Sequence, residues 1–265
     1  MCRLLAFWGE NLASQAGNVL RKFQELAVCG QVPQGFPAGH QDGWGMAAFE
    51  NEKILLHRRK PVNAAEDDDY LQTTNDIEKL NANLIITHLR KSSVGNRAMV
   101  NTHPFLRDRF IFCHNGSISK SETISLLPRY AQMRRGSTDS ERFFLYLLQL
   151  AREKNIRSAI GEAIDFVDKN FDYTALNFLL SNGETLWAVR EVNENNKFVK
   201  RYNLLDYYSL YVGRMNGNFA LVCSEPLMLP NVEWDRLPNH RFVEVKVSAG
   251  KEVVYENRNN CCYSR

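Results

Sequence analysis

The chain has 265 residues, 44% of them hydrophobic, and is therefore long enough to bury a sizeable core. Its 33 basic and 30 acidic side chains leave a net charge of +3, and this near balance argues against a nucleic-acid or membrane-surface partner. The first apolar stretch ends at Gly9, too early for a signal peptide or a membrane span, so the six cysteines are predicted to stay reduced in the cytoplasm.

The first part of the chain predicts a strand, a helix and a hairpin. Cys2 opens an apolar run that is typical of a buried strand. From Leu12 to Leu26, apolar residues recur at three- and four-residue steps, which predicts a helix packed against the core. Residues 44–49 and 53–58 predict two strands joined by a short hairpin loop.

Residues 27–43 lie between this helix and the hairpin, and their glycines, prolines and glutamines predict a long loop. A loop of this length in a compact domain is often a lid or a binding element. A plain surface loop explains the composition equally well, so both interpretations stay open.

The rest of the chain predicts strands on both sides of two helices. Residues 138–141 (TDSE) match a capping box at the start of a helix, and residues 156–167 predict a second helix. Asn182 and Gly183 form a turn signal between two strand patterns. The predicted strands are 83–88, 109–114, 174–180, 184–190, 209–212, 218–223, 241–247 and 251–255. Strand clusters that bracket helices without regular alternation predict an α+β layered fold in one domain.

Cys2 directly follows the initiator methionine, and its small side chain permits removal of Met1. Cys2 would then carry both a thiol and a free α-amino group, whose ordinary pKa of about 7.7–8.0 suits it to accept the thiol proton near neutral pH. That combination is a nucleophile with its own base. Alternatively, Cys2 is a small buried hydrophobe that opens a strand.

Compact polar motifs stand at the ends of the apolar runs. They are residues 40–45 (HQDGWG), 87–90 (THLR), 101–105 (NTHPF), 114–116 (HNG) and 137–141 (STDSE). With Cys2, these motifs make the chain resemble the class II, N-terminal-nucleophile glutamine amidotransferases, in particular the stand-alone YafJ-like branch whose relatives act on γ-glutamyl compounds. The resemblance extends in order to residues 224–227 (SEPL).

The resemblance implies a fold and a domain organisation. The expected fold is the four-layer αββα sandwich of the N-terminal-nucleophile hydrolases, with Cys2 at the start of a central strand. The expected domain is a single one of residues 2–265, with Met1 removed.

The resemblance also implies an oxyanion hole. Attack by Cys2 on an amide carbonyl creates a tetrahedral oxyanion, which needs preset donors. The Asn115 side-chain amide and the Gly116 backbone N–H are the implied donors, and glycine lets the backbone approach closely. A simple turn at the end of a strand explains the same Asn-Gly dipeptide.

Four further residues are implied to bind the substrate. Arg90 matches the family arginine that binds the substrate carboxylate through two hydrogen bonds, and Ser93 is expected to assist it. Asp139 matches the residue that holds the substrate ammonium, although an acidic residue is also common at the start of a helix. His103, like His88, is implied to shape the pocket.

Other polar residues have open roles. Arg3 either fixes the chain terminus or faces out of its strand, and Asp42 is a candidate for orienting the active-site backbone. Cys29, Cys113 and Cys223 lie beside apolar runs and are predicted to be core residues. The two adjacent cysteines, Cys261-Cys262, lie in a polar tail.

The histidines and cysteines lack the close spacings of metal-binding motifs, so we predict no metal and no other cofactor. The predicted function is a thiol amidohydrolase that cleaves the γ-amide of glutamine or a γ-glutamyl compound through a Cys2 thioester. Its partner would be that small molecule, and a separate synthetase subunit is a second candidate partner. The alternative is a non-catalytic partner or regulatory subunit that retains the pocket.

Overall fold

The computed structural model describes residues 2–215, 219–247 and 253–257, so Met1 and the Cys261-Cys262 pair lie outside the described residues. The strands are β1 (Arg3–Gly9), β2 (Gly43–Glu50), β3 (Lys53–Lys60), β4 (Leu84–Arg90), β5 (Phe105–Arg107), β6 (Phe110–Asn115), β7 (Asn177–Ser181), β8 (Thr185–Arg190), β9 (Tyr211–Met215), β10 (Phe219–Cys223), β11 (Val232–Arg236), β12 (Arg241–Lys246) and β13 (Val253–Asn257). The helices are α1 (Ala13–Cys29), α2 (Asp68–Ile77), α3 (Pro128–Met133), α4 (Asp139–Ala151), α5 (Ile156–Asn170) and α6 (Lys197–Arg201).

The strands form two antiparallel sheets. One has the order β11-β9-β10-β1-β4-β2-β3, and the other has the order β13-β12-β8-β7-β6-β5. In the first sheet, β1 lies between β10 and β4, so that Leu5 pairs with Cys223 on one side and with Thr87 on the other. The N-terminal strand is therefore central, as the resemblance implied.

The residues of β1 show how the core is divided into layers. Leu4, Ala6 and Trp8 pack between the two sheets, whereas Leu5 and Phe7 pack in the core beneath α1 and α2. The division arises because successive side chains of a strand point to opposite faces. Helices α4 and α5 cover the outer face of the second sheet. The layers follow the order helix, sheet, sheet, helix, which confirms the predicted αββα sandwich.

Helix α4 begins where the capping-box sequence predicted, but only half of the box forms. The Thr138 hydroxyl accepts a hydrogen bond from the backbone N–H of Glu141 at 3.2 Å. The Glu141 carboxylate turns away from Thr138 and accepts from the backbone N–H groups of Arg135 and Gly136 at 3.0 and 2.6 Å. Glu141 is fully buried there, so it fixes the preceding loop against the helix start.

The predicted helices and strands are present with small shifts at their ends. The strand predicted from residue 174 starts at Asn177, because the residues before it form only isolated bridges. Helices α3 and α6 and strands β5 and β11 were not predicted from the sequence. The core position predicted for Cys29 is wrong, because Cys29 ends α1 on its solvent side and is exposed. Cys113 and Cys223 are buried as predicted.

Among the described residues, none of the helices combines the length and hydrophobicity that a membrane span requires.

Candidate active site

The predicted catalytic residues lie where corresponding ends of the two sheets meet. Cys2 directly precedes β1, and the pairing of Arg3 with Leu89 places Cys2 beside the end of β4, where Arg90 lies. Asn115 is the last residue of β6 in the other sheet. The Cys2 backbone nitrogen donates a hydrogen bond to Asn115 Oδ1 at 2.8 Å and joins the two sheets. The fold thus brings together residues that are 113 positions apart in sequence.

Asn115 is oriented so that one end of its amide is used and the other is free. Its Oδ1 accepts the hydrogen bond from Cys2, while its buried Nδ2 has no hydrogen-bond partner among the described residues. An unsatisfied buried donor costs roughly 1–3 kcal/mol, so such groups are rare unless they await a ligand. The free N–H lies beside the nucleophile, where an oxyanion hole requires a donor.

Gly116 is confined by a close approach of the backbone. A Cβ atom at this position would lie 1.8 Å from the carbonyl oxygen of Ala175. The carbonyl oxygen belongs to the main chain, and the position of a Cβ atom is fixed by the backbone, so no side-chain rotation relieves the clash. Only glycine therefore fits beside Asn115, and its N–H remains next to the predicted oxyanion hole.

We expect Gly116→Ala to displace the segment that carries Asn115. The variant should lose thermal stability and react more slowly with a thiol reagent at Cys2, as measured by differential scanning fluorimetry and mass-resolved alkylation. Gly35→Ala is the control, because Gly35 has φ +86° with nothing within 4 Å of an added Cβ and would add only about 1–2 kcal/mol of backbone strain. Equal effects of the two substitutions would contradict the steric explanation.

The environment of Cys2 favours its thiolate. Burial raises the pKa of the thiol, but the positive charge of the N-terminus, which belongs to Met1 in this structure, and the nearby His88 ring outweigh burial and lower the pKa to about 6. The thiol also contacts the carbonyl oxygen of Lys91, with Sγ and O 3.7 Å apart. The surroundings of Cys2 thus favour the thiolate, which is the reactive state of a cysteine.

The rate of Cys2 alkylation is expected to follow this pKa. The rate should be half-maximal near pH 6 and should fall about tenfold per pH unit below it, since only the thiolate reacts. Iodoacetamide labelling followed by mass analysis of the N-terminal peptide measures the rate at Cys2 alone. The exposed Cys29, followed in its own peptide, provides the comparison. A Cys2 midpoint at or above that of Cys29 would contradict the electrostatic interpretation.

His88 and His103 form a buried stack behind the nucleophile. Their ring centroids are 4.5 Å apart, and His103 also stacks on Phe105 at 4.2 Å. Burial and the neighbouring positive groups hold the pKa of His103 well below its ordinary value, so the ring is neutral at pH 7. Neither histidine has a ring nitrogen with a hydrogen bond of ordinary geometry within the described part of the chain. His88 also interacts with the Cys2 thiol and helps to lower its pKa, while the role of His103 in shaping the pocket stays a prediction.

Arg90 lies beside Cys2 and holds the loop that follows β4. Its guanidinium donates to the carbonyl oxygens of Asn96, Val94 and Gly95 at 2.9, 3.0 and 3.2 Å, and it forms no ion pair with any described residue. The side chain is 3% exposed, and burial lowers its pKa. Ser93 lies exposed on the same loop. Arg90, at the end of β4, thus holds the loop on which Ser93 lies. The role of these two residues in binding a carboxylate stays a prediction.

Asp139 is the first residue of α4 and is 4% exposed. One carboxylate oxygen accepts from the backbone N–H of Ile118 and the other from that of Ser140, both at 2.8 Å. These bonds fix the carboxylate at the start of the helix, where an acidic side chain is common. No described lysine, arginine or histidine forms an ion pair with this carboxylate, although its charge interacts with the buried His114 ring, and its role in holding a substrate ammonium stays a prediction. Because Ile118 follows the Asn115-Gly116 pair closely, Asp139 also anchors the segment that carries this pair.

Two further residues, Asp42 and Lys91, anchor the loops of this site. Asp42 accepts a hydrogen bond from the backbone N–H of Ser92 at 2.8 Å and forms an ion pair with Arg97. Lys91 donates to the carbonyl oxygens of Pro37 and Gly39 at 2.6 and 2.9 Å. Asp42 was recognised as a candidate within its motif, whereas no sequence pattern singled out Lys91. Together they tie the loop after β4 to the loop between α1 and β2.

Within the described residues, no three histidine, cysteine, aspartate or glutamate side chains converge as metal ligands would.

The chain is similar to known proteins in both sequence and fold. A family model described as "Glutamine amidotransferases class-II" matches residues 1–260. MJ1515, an uncharacterized protein of Methanocaldococcus jannaschii, is 30% identical over 239 residues, which cover 83% of this chain and 64% of that protein. YafJ of Escherichia coli is 26% identical over 188 residues, covering 63% of this chain and 68% of that protein.

A solved structure shares the fold. Glutamine phosphoribosylpyrophosphate amidotransferase from B. subtilis superimposes with a TM-score of 0.64 at 14% identity, over 97% of this chain and 49% of that enzyme. The chain thus spans about half of that enzyme and just under two thirds of MJ1515. Because the family model matches nearly the whole chain, residues 1–260, the chain belongs to the class II glutamine amidotransferases.

Proposed function

We propose that this protein hydrolyses the γ-amide of glutamine or of another γ-glutamyl compound through a thioester on Cys2. The observation that carries the proposal is the contact between the Cys2 nitrogen and Asn115 Oδ1, which leaves the buried Asn115 Nδ2 unpaired beside an ionised thiol. A nucleophile and an unused donor are thereby held together. This pair is what acyl transfer through a tetrahedral intermediate requires.

The chemistry needs only groups that the site contains. The α-amino group of Cys2, freed by removal of Met1, takes the thiol proton, and Sγ attacks the amide carbon. The oxyanion accepts hydrogen bonds from Asn115 Nδ2 and the Gly116 N–H. When the carbon–nitrogen bond breaks, the α-ammonium returns its proton to the leaving nitrogen. Water then attacks the thioester and passes a proton to the α-amino group, and the thiolate of Cys2 leaves.

Recognition of the γ-glutamyl group is assigned to one fixed cation and one fixed anion. Arg90 would bind the α-carboxylate and Asp139 the α-ammonium. Arg90 already presents its guanidinium to carbonyl oxygens of its own loop, so a carboxylate would replace weaker acceptors with a charged one. Asp139 has two partly used oxygens and no basic partner among the described residues. A simple amide that lacks both charges would gain neither interaction.

We expect Arg90→Lys to raise KM for γ-glutamyl substrates, because lysine retains the charge and loses the planar fork that binds a carboxylate in two places. Alkylation of Cys2 by iodoacetamide should stay within about twofold of the wild-type rate. Arg157→Lys is the matched control, since Arg157 pairs with Glu244 on the second sheet. An unchanged KM in Arg90→Lys would show that Arg90 serves only to hold its loop.

Asp139→Asn is tested with a pair of substrates, a γ-glutamyl amide and its N-acetylated analogue. Wild type should prefer the free amine, and the substitution should reduce that preference because the neutral amide cannot attract an ammonium ion. Asp235→Asn, which removes an exposed partner of Arg214, is the control. If wild type has no preference, or if Asp139→Asn leaves the ratio unchanged, Asp139 is only a helix-start acid.

Removal of Met1 is a further requirement of the mechanism. Intact-mass analysis of active protein should show a chain that begins at Cys2, because only then does the nucleophile carry a free amine. A variant with Met1 retained, made by blocking the aminopeptidase during expression, should keep the fold and lose turnover. Activity in protein whose mass includes Met1 would contradict the N-terminal-nucleophile mechanism.

The fate of the released amine distinguishes hydrolysis from delivery to a separate synthetase. Direct hydrolysis by the protein alone should release one equivalent of free amine for each glutamate. If release occurs only after a partner protein is added, the protein is a subunit of a larger amidotransferase.

A further inference from the structure

Arg3 is buried beside the nucleophile, so the alternative in which it faces solvent is wrong. Its side chain is 1% exposed, and its Nε lies 2.7 Å from a carboxylate oxygen of Glu225. Its Nη2 donates to the carbonyl oxygen of Gln31 at 2.6 Å, and its guanidinium carbon lies 4.6 Å from the ring centroid of Tyr207. An arginine held by an acid, a carbonyl and an aromatic ring has little freedom to move.

Glu225 completes a closed set of three contacts. The backbone N–H of Gln31 donates to the same carboxylate at 2.9 Å, so Arg3, Glu225 and Gln31 each contact the other two. The neighbouring Ser224 binds the same strand through its backbone and side chain, since its N–H donates to the Leu4 carbonyl at 3.0 Å and its hydroxyl accepts from the Leu4 N–H at 2.9 Å. The segment after β10 therefore holds both Arg3 and Leu4.

We propose that Arg3 and Glu225 are positioning residues, which fix Cys2 against Asn115 by clamping the start of β1. This proposal rests on the proposed function only in taking Cys2 as the nucleophile. Chain termini are poorly ordered unless they are tied down. A nucleophile at the mature terminus has no preceding chain to hold it, and a displacement of about 1 Å can reduce catalysis by roughly 100-fold.

The geometry separates this role from substrate binding. Side chains alternate along β1, so Arg3 lies on the same face as Leu5 and Phe7, while Cys2 lies on the face of Leu4. Among the described residues, the Arg3 guanidinium contacts Glu225, Gln31 and Tyr207, all groups of the protein itself, and its buried Nη1 makes no hydrogen bond. Arg3 therefore acts on the reaction through the backbone that it shares with Cys2.

The test compares Glu225→Gln with the double variant Arg3→Met plus Glu225→Met. In the single variant, the buried charge of Arg3 loses its counter-ion, which lowers stability as well as disturbing position. The double variant removes both charges, so its melting temperature should return to within about 4 °C of wild type. Both variants should show a 10- to 100-fold lower kcat, with KM within about threefold, since position and not binding is lost.

Cys2 alkylation gives a readout that is independent of any substrate. Displacement of Cys2 from its present surroundings should move the midpoint of the alkylation pH profile upward in both variants. Glu244→Gln is the matched control, because it breaks another partly buried ion pair with arginine, on the second sheet, and should lower stability without changing the profile. If kcat and the profile recover with stability in the double variant, the clamp is merely structural and the proposal fails. If alkylation responds as expected while wild type hydrolyses no γ-glutamyl amide, the proposed function fails and the clamp stands.

Discussion

Cys2→Ser is expected to reduce turnover of a γ-glutamyl amide by about 10³-fold or more. A serine hydroxyl holds its proton far more tightly than a thiol, so an α-amino group with a pKa of about 7.7–8.0 cannot remove it effectively. The variant also loses the thiol whose pKa the surroundings lower to about 6, and with it the readily formed thiolate. The measurement is kcat from amine release, on protein whose N-terminus has been verified by mass.

Cys29→Ser provides the matched control for this substitution. Cys29 is exposed at the end of α1, and its replacement should leave turnover within about twofold of wild type. The Cys2→Ser protein should retain its melting temperature within a few degrees, because the two side chains differ by one atom. Near-normal turnover in Cys2→Ser would return Cys2 to the role of a buried strand residue and would contradict the thioester mechanism.

Asn115→Ala is expected to lower kcat by about 10²- to 10³-fold, the usual effect of removing one oxyanion donor, with a smaller change in KM. Alanine also removes the acceptor that holds the Cys2 nitrogen at 2.8 Å. Asn115→Asp separates the two roles, because it keeps an acceptor for Cys2 and replaces the free Nδ2 donor with an anionic oxygen. We expect this variant to lose at least as much kcat as the alanine variant.

Asn177→Ala is the control for the loss of a buried amide. Asn177 pairs with Asn115 across β6 and β7, and its amide donates to Tyr208 and accepts from Glu191. Its removal should lower the melting temperature while kcat per folded molecule changes much less than in Asn115→Ala. A loss confined to KM in Asn115→Ala would instead assign Asn115 to substrate positioning.

The fold was predictable where one segment carries a complete pattern. The helix from Leu12 to Leu26 is predicted by its apolar periodicity, and the hairpin around Gly183 is predicted by its turn residues. Gly183 has the positive φ of +90° that such a turn requires. The short helix α6 and the edge strand β11 have weak patterns of their own. They form because neighbouring elements supply the packing that their sequences lack.

The site was predictable only as a set of residues. Resemblance selected Cys2, Arg90, Asn115 and Asp139, but no local pattern shows that Asn115 Oδ1 is used and Nδ2 is free. Contacts between distant segments were also hidden, since Arg3 and Glu225 are separated by most of the chain. The half-formed capping box has the same cause, because long-range packing draws Glu141 toward Arg107. Such contacts depend on the assembled tertiary structure, which periodicity does not encode.

The hydrogen bond between Cys2 and Asn115 has a consequence for how this protein would respond to damage far from its chemistry. The proposed nucleophile belongs to one sheet and the proposed oxyanion donor to the other, so the distance between them is set by the hydrophobic layer in which Leu4, Ala6 and Cys113 pack. Interiors are close-packed and transmit small volume changes. Substitutions in this layer that leave every secondary-structure element intact should therefore act as activity mutations. The catalytic rate would then report changes in the spacing between the two sheets.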